Sequence, residues 1–149
     1  MQIHSWGGKT SISYMEKRAL WRWERKMAPR TFIKTQKRNI IKWKKVKAVT
    51  YDAHDQAVIK SFQLICNNAK NKFDKSAKIF LEHAKGYAPV GEVSILIAVG
   101  SGHRNEAFKI CRYILEEVKH QSPIWKKEHY ADGKEEWLPG HSLRPKKEI

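Results

Sequence analysis

The sequence predicts an α+β fold in which helices pack against a mixed or antiparallel sheet. Segments typical of strands alternate with two amphipathic segments of helical spacing, in the order β-α-β-β-α-β-β. Turn residues separate some of the strands directly, which predicts hairpins beside the helices. A length of 149 residues and a hydrophobic content of 41% are typical of one globular domain with a real core.

Both helices are predicted from apolar residues that recur at spacings of three and four. The first runs from about Gln56 to Phe73, with Asp52 or Asp55 as its N-cap. Its core face consists of Val58, Phe62, Ile65, Cys66, Ala69 and Phe73. The second runs from about Arg104 to Lys119. Its core face consists of Ala107, Phe108, Cys111, Ile114, Leu115 and Val118.

Five strands are predicted from alternating or continuous apolar runs bounded by turn residues. They are Val46–Tyr51, Ala77–His83, Glu92–Val99, Ile124–Tyr130 and Glu135–Leu138. The third is too apolar to face solvent on either side, which places it in the middle of a sheet. Glycine and proline predict a turn over Lys85–Gly91, and Asp132-Gly133 predicts the turn of a hairpin.

The N-terminal part of the chain is far more basic than the remainder. Residues 1–50 contain 14 Lys and Arg against 2 Asp and Glu, whereas residues 51–149 contain 16 against 13. Helical propensity extends over Tyr14–Met27 until Pro29 ends it, and no clean period follows up to residue 45. We therefore divide the chain into a basic, divergent segment (1–45), a folded domain (46–138) and a polar C-terminal tail (139–149).

The cysteines and the apolar runs indicate a cytoplasmic protein. Cys66 and Cys111 lie at apolar positions of predicted helices and show no metal-ligand spacing, so we expect reduced core residues. The N-terminus lacks the apolar region of a signal peptide. The longest apolar run, around Val93–Val99, is far too short to span a membrane.

Cationic residues lie at both ends of the second helix. His103 and Arg104 lie at its N-terminus, where free backbone N–H groups already favour an anion. Lys119 lies in its last turn, and Lys126 and Lys127 follow Pro123. Two cationic groups around one helix predict a site for a phosphorylated small molecule. The alternative is a solvated surface on which Lys119 only complements the helix dipole.

Four motifs in order make the sequence resemble the large, catalytic subunit of molybdopterin synthase. They are VKAVTYDAHD, KGYAPVGEVSILIAVGSGHRNEAF, EEVKHQSPIWKKE and DGKEEW, which together span residues 46–137. The resemblance implies an α/β hammerhead-type fold and a homodimer of large subunits within a heterotetramer. The partner is a small ubiquitin-like subunit whose thiocarboxylated C-terminus carries sulfur to cyclic pyranopterin monophosphate (precursor Z). Two such transfers form the molybdopterin dithiolene, and the large subunit needs no metal or cofactor.

The resemblance also implies roles for individual residues. Lys119 matches the catalytic lysine. The substrate-binding residues of the family match His103, Arg104, Lys126, Lys127 and Glu128. The N-terminal arginine of the family, in its F-x-G-x-V-R segment, has its nearest counterpart in FIKTQKRN, as Arg38 with Lys37. These residue types suit the substrate, because Arg and Lys neutralise phosphate and a lysine among other cations acts as an acid or base near neutral pH.

Two other functions remain open from the sequence. The chain can be a degenerate homologue that keeps only the dimer or partner interface. It can also bind nucleic acid through residues 1–45, whose basic residues are interleaved with four tryptophans, namely Trp6, Trp21, Trp23 and Trp43. Such binding depends on counterion release and weakens steeply with salt.

Overall fold

The computed structural model describes residues 3–6, 9–15, 31–36, 40–41 and 44–139, with side chains from residue 45 onwards. The described elements are, in chain order, β1 Ile3–Trp6, β2 Lys9–Met15, β3 Thr31–Gln36, β4 Ile40–Ile41, β5 Lys44–Ala53, α1 Asp55–Phe73, β6 Lys78–Pro89, β7 Val93–Gly100, α2 Arg104–Gln121, β8 Ile124–Tyr130 and β9 Glu135–Trp137.

Two antiparallel sheets share the long strand β6. In the first sheet the strand order is β1-β2-β6-β7-β3, and in the second it is β6-β5-β8-β9, with β4 beside β5. β6 leaves the first sheet after Lys85 and joins β5 from Gly86. Gly86 has a φ of +89°, which only glycine adopts readily, so the strand can change sheets there. The predicted α+β class is confirmed.

The two helices pack on the first sheet and enclose the main core. Phe62 of α1 and Ile114 of α2 are fully buried, and Ile97 of β7 faces them from the sheet. Buried Cys66 and Cys111 are both free thiols, as predicted. Ser122, which follows α2, contacts Ser61 within α1 through their hydroxyls, 2.9 Å apart. Burial of the amphipathic faces, more than propensity, therefore stabilises the helices.

Two details of the helices differ from the prediction. His54 is the N-cap of α1, where its Nδ1 accepts a hydrogen bond from the Ala57 N–H at 3.3 Å, so neither predicted aspartate has that position. The sequence predicts Phe108 on the core face of α2, but this residue is 59% exposed. Ile110 is fully buried in its stead.

The strands agree with the prediction except around Lys85–Gly91. Backbone pairing continues through this segment to Pro89, and the turn is confined to residues 90–92. β7 pairs with β3 on one side and β6 on the other, which confirms its central position. The predicted hairpin of β8 and β9 also forms, with Gly133 at a φ of +83° in its turn.

Strands also form in the basic segment, for which the sequence predicted no strand. β2 pairs with β6 and β3 pairs with β7, so this segment supplies strands on both sides of the β6–β7 pair. The predicted helix Tyr14–Met27 is contradicted at Tyr14 and Met15, which belong to β2. Its remaining residues lie outside the described part of the chain. The division at residue 45 stays a prediction.

Candidate functional site

The N-terminal end of α2 presents the first predicted cationic pair to solvent. His103 is the N-cap residue in extended conformation, and Arg104 is the first helical residue; both side chains are exposed. The preceding Ser101 is buried and its hydroxyl donates to the Asp74 carboxylate at 2.5 Å. Asp74 follows the last residue of α1, so this hydrogen bond fixes the start of α2 against the end of α1.

The C-terminal end of α2 presents the predicted catalytic lysine. The Lys119 side chain is 45% exposed, and its Nζ lies 3.6 Å from the Glu116 carboxylate one turn earlier. The connection to β8 consists of Ser122 and Pro123, and the Ser122 N–H closes the helix on the Val118 carbonyl at 3.2 Å. A partner group can therefore reach Lys119, while the connection holds the start of β8 at the same end of α2.

The two ends of α2 separate the predicted site residues. Arg104 and Lys119 are fifteen positions apart in the helix, which is about 22 Å along its axis. His103 and Arg104 thus belong to one region of the chain's surface, and Lys119 belongs to another.

Alternation along β8 divides the third predicted group between two faces of the sheet. Successive side chains of a strand point to opposite faces, so Lys126 and Glu128 share one face and Lys127 lies on the other. The Lys126 Nζ lies 3.6 Å from a Glu128 carboxylate oxygen, and Glu128 is only 1% exposed. The structure thus brings Lys126 and Glu128 together and separates Lys127 from both.

Tyr130, which is not among the predicted site residues, also contacts Glu128. The Tyr130 hydroxyl donates to the second oxygen of the Glu128 carboxylate at 3.0 Å, two residues along the same face of β8. Burial, and then the hydrogen bond to Glu128, raises the pKa of Tyr130 to about 12. The strand period of two in IWKKEHY was the signal that links Lys126, Glu128 and Tyr130.

The opposite face of β8 has its own hydrogen-bonded group. Thr50 of β5 and His129 are joined at 2.7 Å through Oγ1 and Nε2, and the His129 Nδ1 lies 2.8 Å from the Glu135 carboxylate. Lys127 binds the other oxygen of Glu135 at 2.5 Å. These contacts, above all the one with Lys127, lower the pKa of Glu135. Lys127 is thus engaged within the hairpin, on the far side of the sheet from Lys126.

The remaining predicted site residues, Lys37 and Arg38, lie outside the described residues. The side chains of the four tryptophans in the basic segment are likewise not described. Among the residues that the structure describes, no three His, Cys, Asp or Glu side chains are grouped so as to hold a metal ion. Neither described helix is both long and apolar enough to cross a lipid bilayer.

The sequence of this chain matches a known protein family. The family model of the MoaE protein matches residues 12–121. The molybdopterin synthase catalytic subunit of Synechococcus elongatus is 41% identical over 98 residues, which cover 66% of this chain and 59% of that protein. The chain belongs to the MoaE protein family, which confirms the resemblance. It spans less than two thirds of that relative's length.

Solved structures share the same fold. Molybdopterin synthase from Staphylococcus aureus superposes with a TM-score of 0.69 at 27% identity, covering 73% of this chain and 78% of that one. A complex of subunits 1 and 2 of the molybdopterin-converting factor from Helicobacter pylori contains a chain with a TM-score of 0.58 at 18% identity. That match covers 76% of this chain and 71% of the other, and it shows the fold alone.

Proposed function

We propose that this chain is the large subunit of a cytoplasmic molybdopterin synthase, with sulfurtransferase activity. It accepts sulfur from the thiocarboxylated C-terminus of a small ubiquitin-like subunit and adds it to precursor Z. The observation that carries the proposal is the position of Lys119, exposed at the end of α2, with Lys126 held by buried Glu128 beyond a two-residue connection. Membership of the MoaE family supports the reaction.

Each named residue has a chemical task in this proposal. The carrier's sulfur attacks a side-chain carbon of the pterin, and the C–S bond that forms replaces a C–O bond at that carbon, whose oxygen leaves as water or remains on the phosphate. The bond between sulfur and the carrier's acyl carbon then breaks as water adds, and the carrier leaves as a carboxylate. Lys119 polarises the acyl carbonyl or becomes acylated by it, and it exchanges a proton during the addition. Lys126 neutralises the substrate phosphate as a point charge.

Two copies of the chain assemble the remaining cations in this proposal. About 22 Å of helix separates Arg104 from Lys119 within one copy, so we place the two residues at one substrate from different copies. A two-fold dimer would pair the Lys119 end of one α2 with the Arg104 end of the other, and it would form two equivalent sites. His103 and Arg104 would then bind the substrate phosphate from the second copy. Arg38 and Lys37 are proposed as further anion ligands, on the resemblance alone.

Reconstitution tests the proposed activity. Purified chain is mixed with the thiocarboxylated small subunit and precursor Z, and molybdopterin is measured. Lys119→Ala abolishes conversion while the subunits still associate in size-exclusion chromatography, whereas Lys109→Ala, at an exposed lysine of the same helix, retains it. A Lys119→Ala variant with near-normal turnover would refute the role of Lys119. An unaltered chain that binds the small subunit without turnover would identify a degenerate homologue.

Mixing two inactive variants tests the two-copy site. Arg104→Ala and Lys119→Ala each damage both sites of their own dimers, but a mixed dimer has one undamaged site. Subunit exchange between equal amounts therefore restores about a quarter of the normal activity. Differently tagged subunits, purified together, prove that exchange took place. If co-purified mixed dimers remain inactive, Arg104 and Lys119 do not act together from different copies, and the two-copy site is refuted.

A further inference from the structure

The Tyr130 hydroxyl lies between two carboxylates on neighbouring strands. Glu128 of β8 and Glu136 of β9 are directly opposite each other in the strand register, where like charges destabilise a sheet. The Tyr130 hydroxyl lies 3.0 Å from Glu128 Oε2 and 3.4 Å from Glu136 Oε2. The shorter contact assigns its proton to Glu128.

The two oxygens of Glu128 have different partners. Oε2 accepts the hydrogen bond from Tyr130, and Oε1 faces the Lys126 ammonium at 3.6 Å. A carboxylate bound at one oxygen keeps a defined rotation, so its other oxygen keeps a defined direction. The Lys126 side chain is 31% exposed. Lys126 therefore lies beside a buried anion and is also partly exposed to solvent.

We propose that Tyr130 is a positioning residue of the substrate site, which acts through Glu128 to hold the Lys126 ammonium toward the substrate phosphate. The inference rests on the proposed function for the identity of the ligand. Tyr130 itself touches no substrate. Its role is to fix the orientation of Glu128, and Glu128 in turn fixes Lys126.

The surroundings of Tyr130 suit a permanent donor. The side chain is 7% exposed and packs with Val46 and Val49, and burial keeps its phenol protonated far above neutral pH. Among the residues that the structure describes, the charged and titratable groups near Glu128 include Lys126 and Tyr130 on its own strand, Glu136 on β9 and Tyr51 on β5. Tyr51 is 9% exposed, and burial raises its pKa also.

Tyr130→Phe tests the proposal because it removes the hydroxyl and keeps the ring. Because the hydrogen bond to the charged acceptor Glu128 is lost, Lys126 is held less well, and the KM for precursor Z rises about tenfold. The kcat stays within about twofold, because a phosphate is held equally in the ground state and the transition state. Tyr87→Phe is the matched control, since Tyr87 is a 55% exposed tyrosine of the same sheet outside the site. It leaves KM unchanged.

A second measurement needs no activity. In ¹³C-carboxyl NMR of the purified chain at pH 7, with the Glu128 signal assigned from Glu128→Gln, Tyr130→Phe shifts the Glu128 carboxyl resonance, because it removes the hydrogen bond to Oε2. If the unaltered chain converts no precursor Z, the proposed function fails, and the NMR shift alone decides this inference. An unchanged resonance overturns it.

A double-mutant cycle shows whether Tyr130 acts through Glu128. In the Glu128→Gln background, Tyr130→Phe adds no further rise in KM, because the group that it positions has lost its charge. Equal rises in both backgrounds would show that the hydroxyl acts elsewhere and would refute the proposal. Near-UV circular dichroism of each variant confirms that the core around Val46 and Val49 remains packed.

Discussion

Substitution of Asp74 tests how the fold holds the start of α2 in place. One oxygen accepts hydrogen bonds from the Ser76 N–H at 2.8 Å and hydroxyl at 2.6 Å, and the other accepts from Ser101. These bonds link the end of α1, the approach to β6 and the residues before His103. We expect Asp74→Asn, which keeps the size but loses the charge, to destabilise the protein at neutral pH.

The magnitude follows from the pKa of Asp74. The hydrogen bond from Ser101, followed by that from Ser76, lowers this pKa from 3.8 to about 2. In full, that difference corresponds to about 2.5 kcal/mol. Because solvent screens this partly open carboxyl, we expect about 1 to 1.5 kcal/mol, or about 3 to 5 °C in Tm. A lowered pKa stabilises the fold above the unfolded value near 4, and the stabilisation disappears as pH falls toward 2.

Urea unfolding at several pH values measures this effect. The difference in unfolding free energy between the native chain and Asp74→Asn is largest at pH 6 to 7, and it shrinks steadily between pH 4 and pH 2.5. Asp52→Asn removes the same charge from an exposed residue and serves as the control. A difference that stays constant with pH would show that the carboxylate charge contributes nothing, and the reasoning from its hydrogen bonds would be wrong.

Three further predictions concern the core, the thiols and one turn. Phe62→Ala removes a fully buried ring and lowers the unfolding free energy by about 3 to 5 kcal/mol, whereas Phe108→Ala, at a 59% exposed ring, changes it by less than about 0.5 kcal/mol; chemical denaturation distinguishes them. Burial raises the pKa of Cys111 to about 12, and Cys66 is buried as well, so neither reacts with Ellman's reagent at pH 8 until denaturant is added; rapid reaction of the folded protein would contradict this. Gly133→Ala lowers the unfolding free energy by about 1 kcal/mol, because a residue with a Cβ is strained at a φ of +83°, although no atom lies within 4 Å of that Cβ position. An unchanged Tm would contradict this prediction.

Local patterns in the sequence predicted most of the elements that carry the candidate site. α1, α2, β7 and the β8–β9 hairpin follow from periods and turn residues that act over a few neighbours. The same periods already imply that the ends of α2 are far apart and that Lys126 and Lys127 face opposite ways. Phe108 only borders the apolar stripe of α2, whereas Ile110 lies on it, three residues after Ala107 and four before Ile114, so the spacing itself favours Ile110.

Contacts between distant residues could not be predicted from these patterns. Thr50 and His129 are 79 positions apart and meet only because β5 and β8 are neighbours. Asp74 and Ser101 meet because the end of α1 and the start of α2 lie side by side. The strand β3 has lysine among its residues and no clean period, so nothing local distinguished it from a loop. In each case the partner strand or helix, not the segment itself, determines the structure.

The strand β6 joins the two sheets in a single continuous backbone. Its first part makes ladder hydrogen bonds with β2 and β7, and its last part, from Gly86 to Pro89, makes them with β5. Because strands of both sheets are hydrogen-bonded to β6, separation of one sheet from β6 also disrupts the other. The two sheets therefore open as one cooperative unit rather than separately. Backbone amides on both sides of Gly86 therefore exchange with deuterium in the same slow opening. The strand β8, which carries Lys126, is joined to β6 through β5, because β5 pairs with both of them.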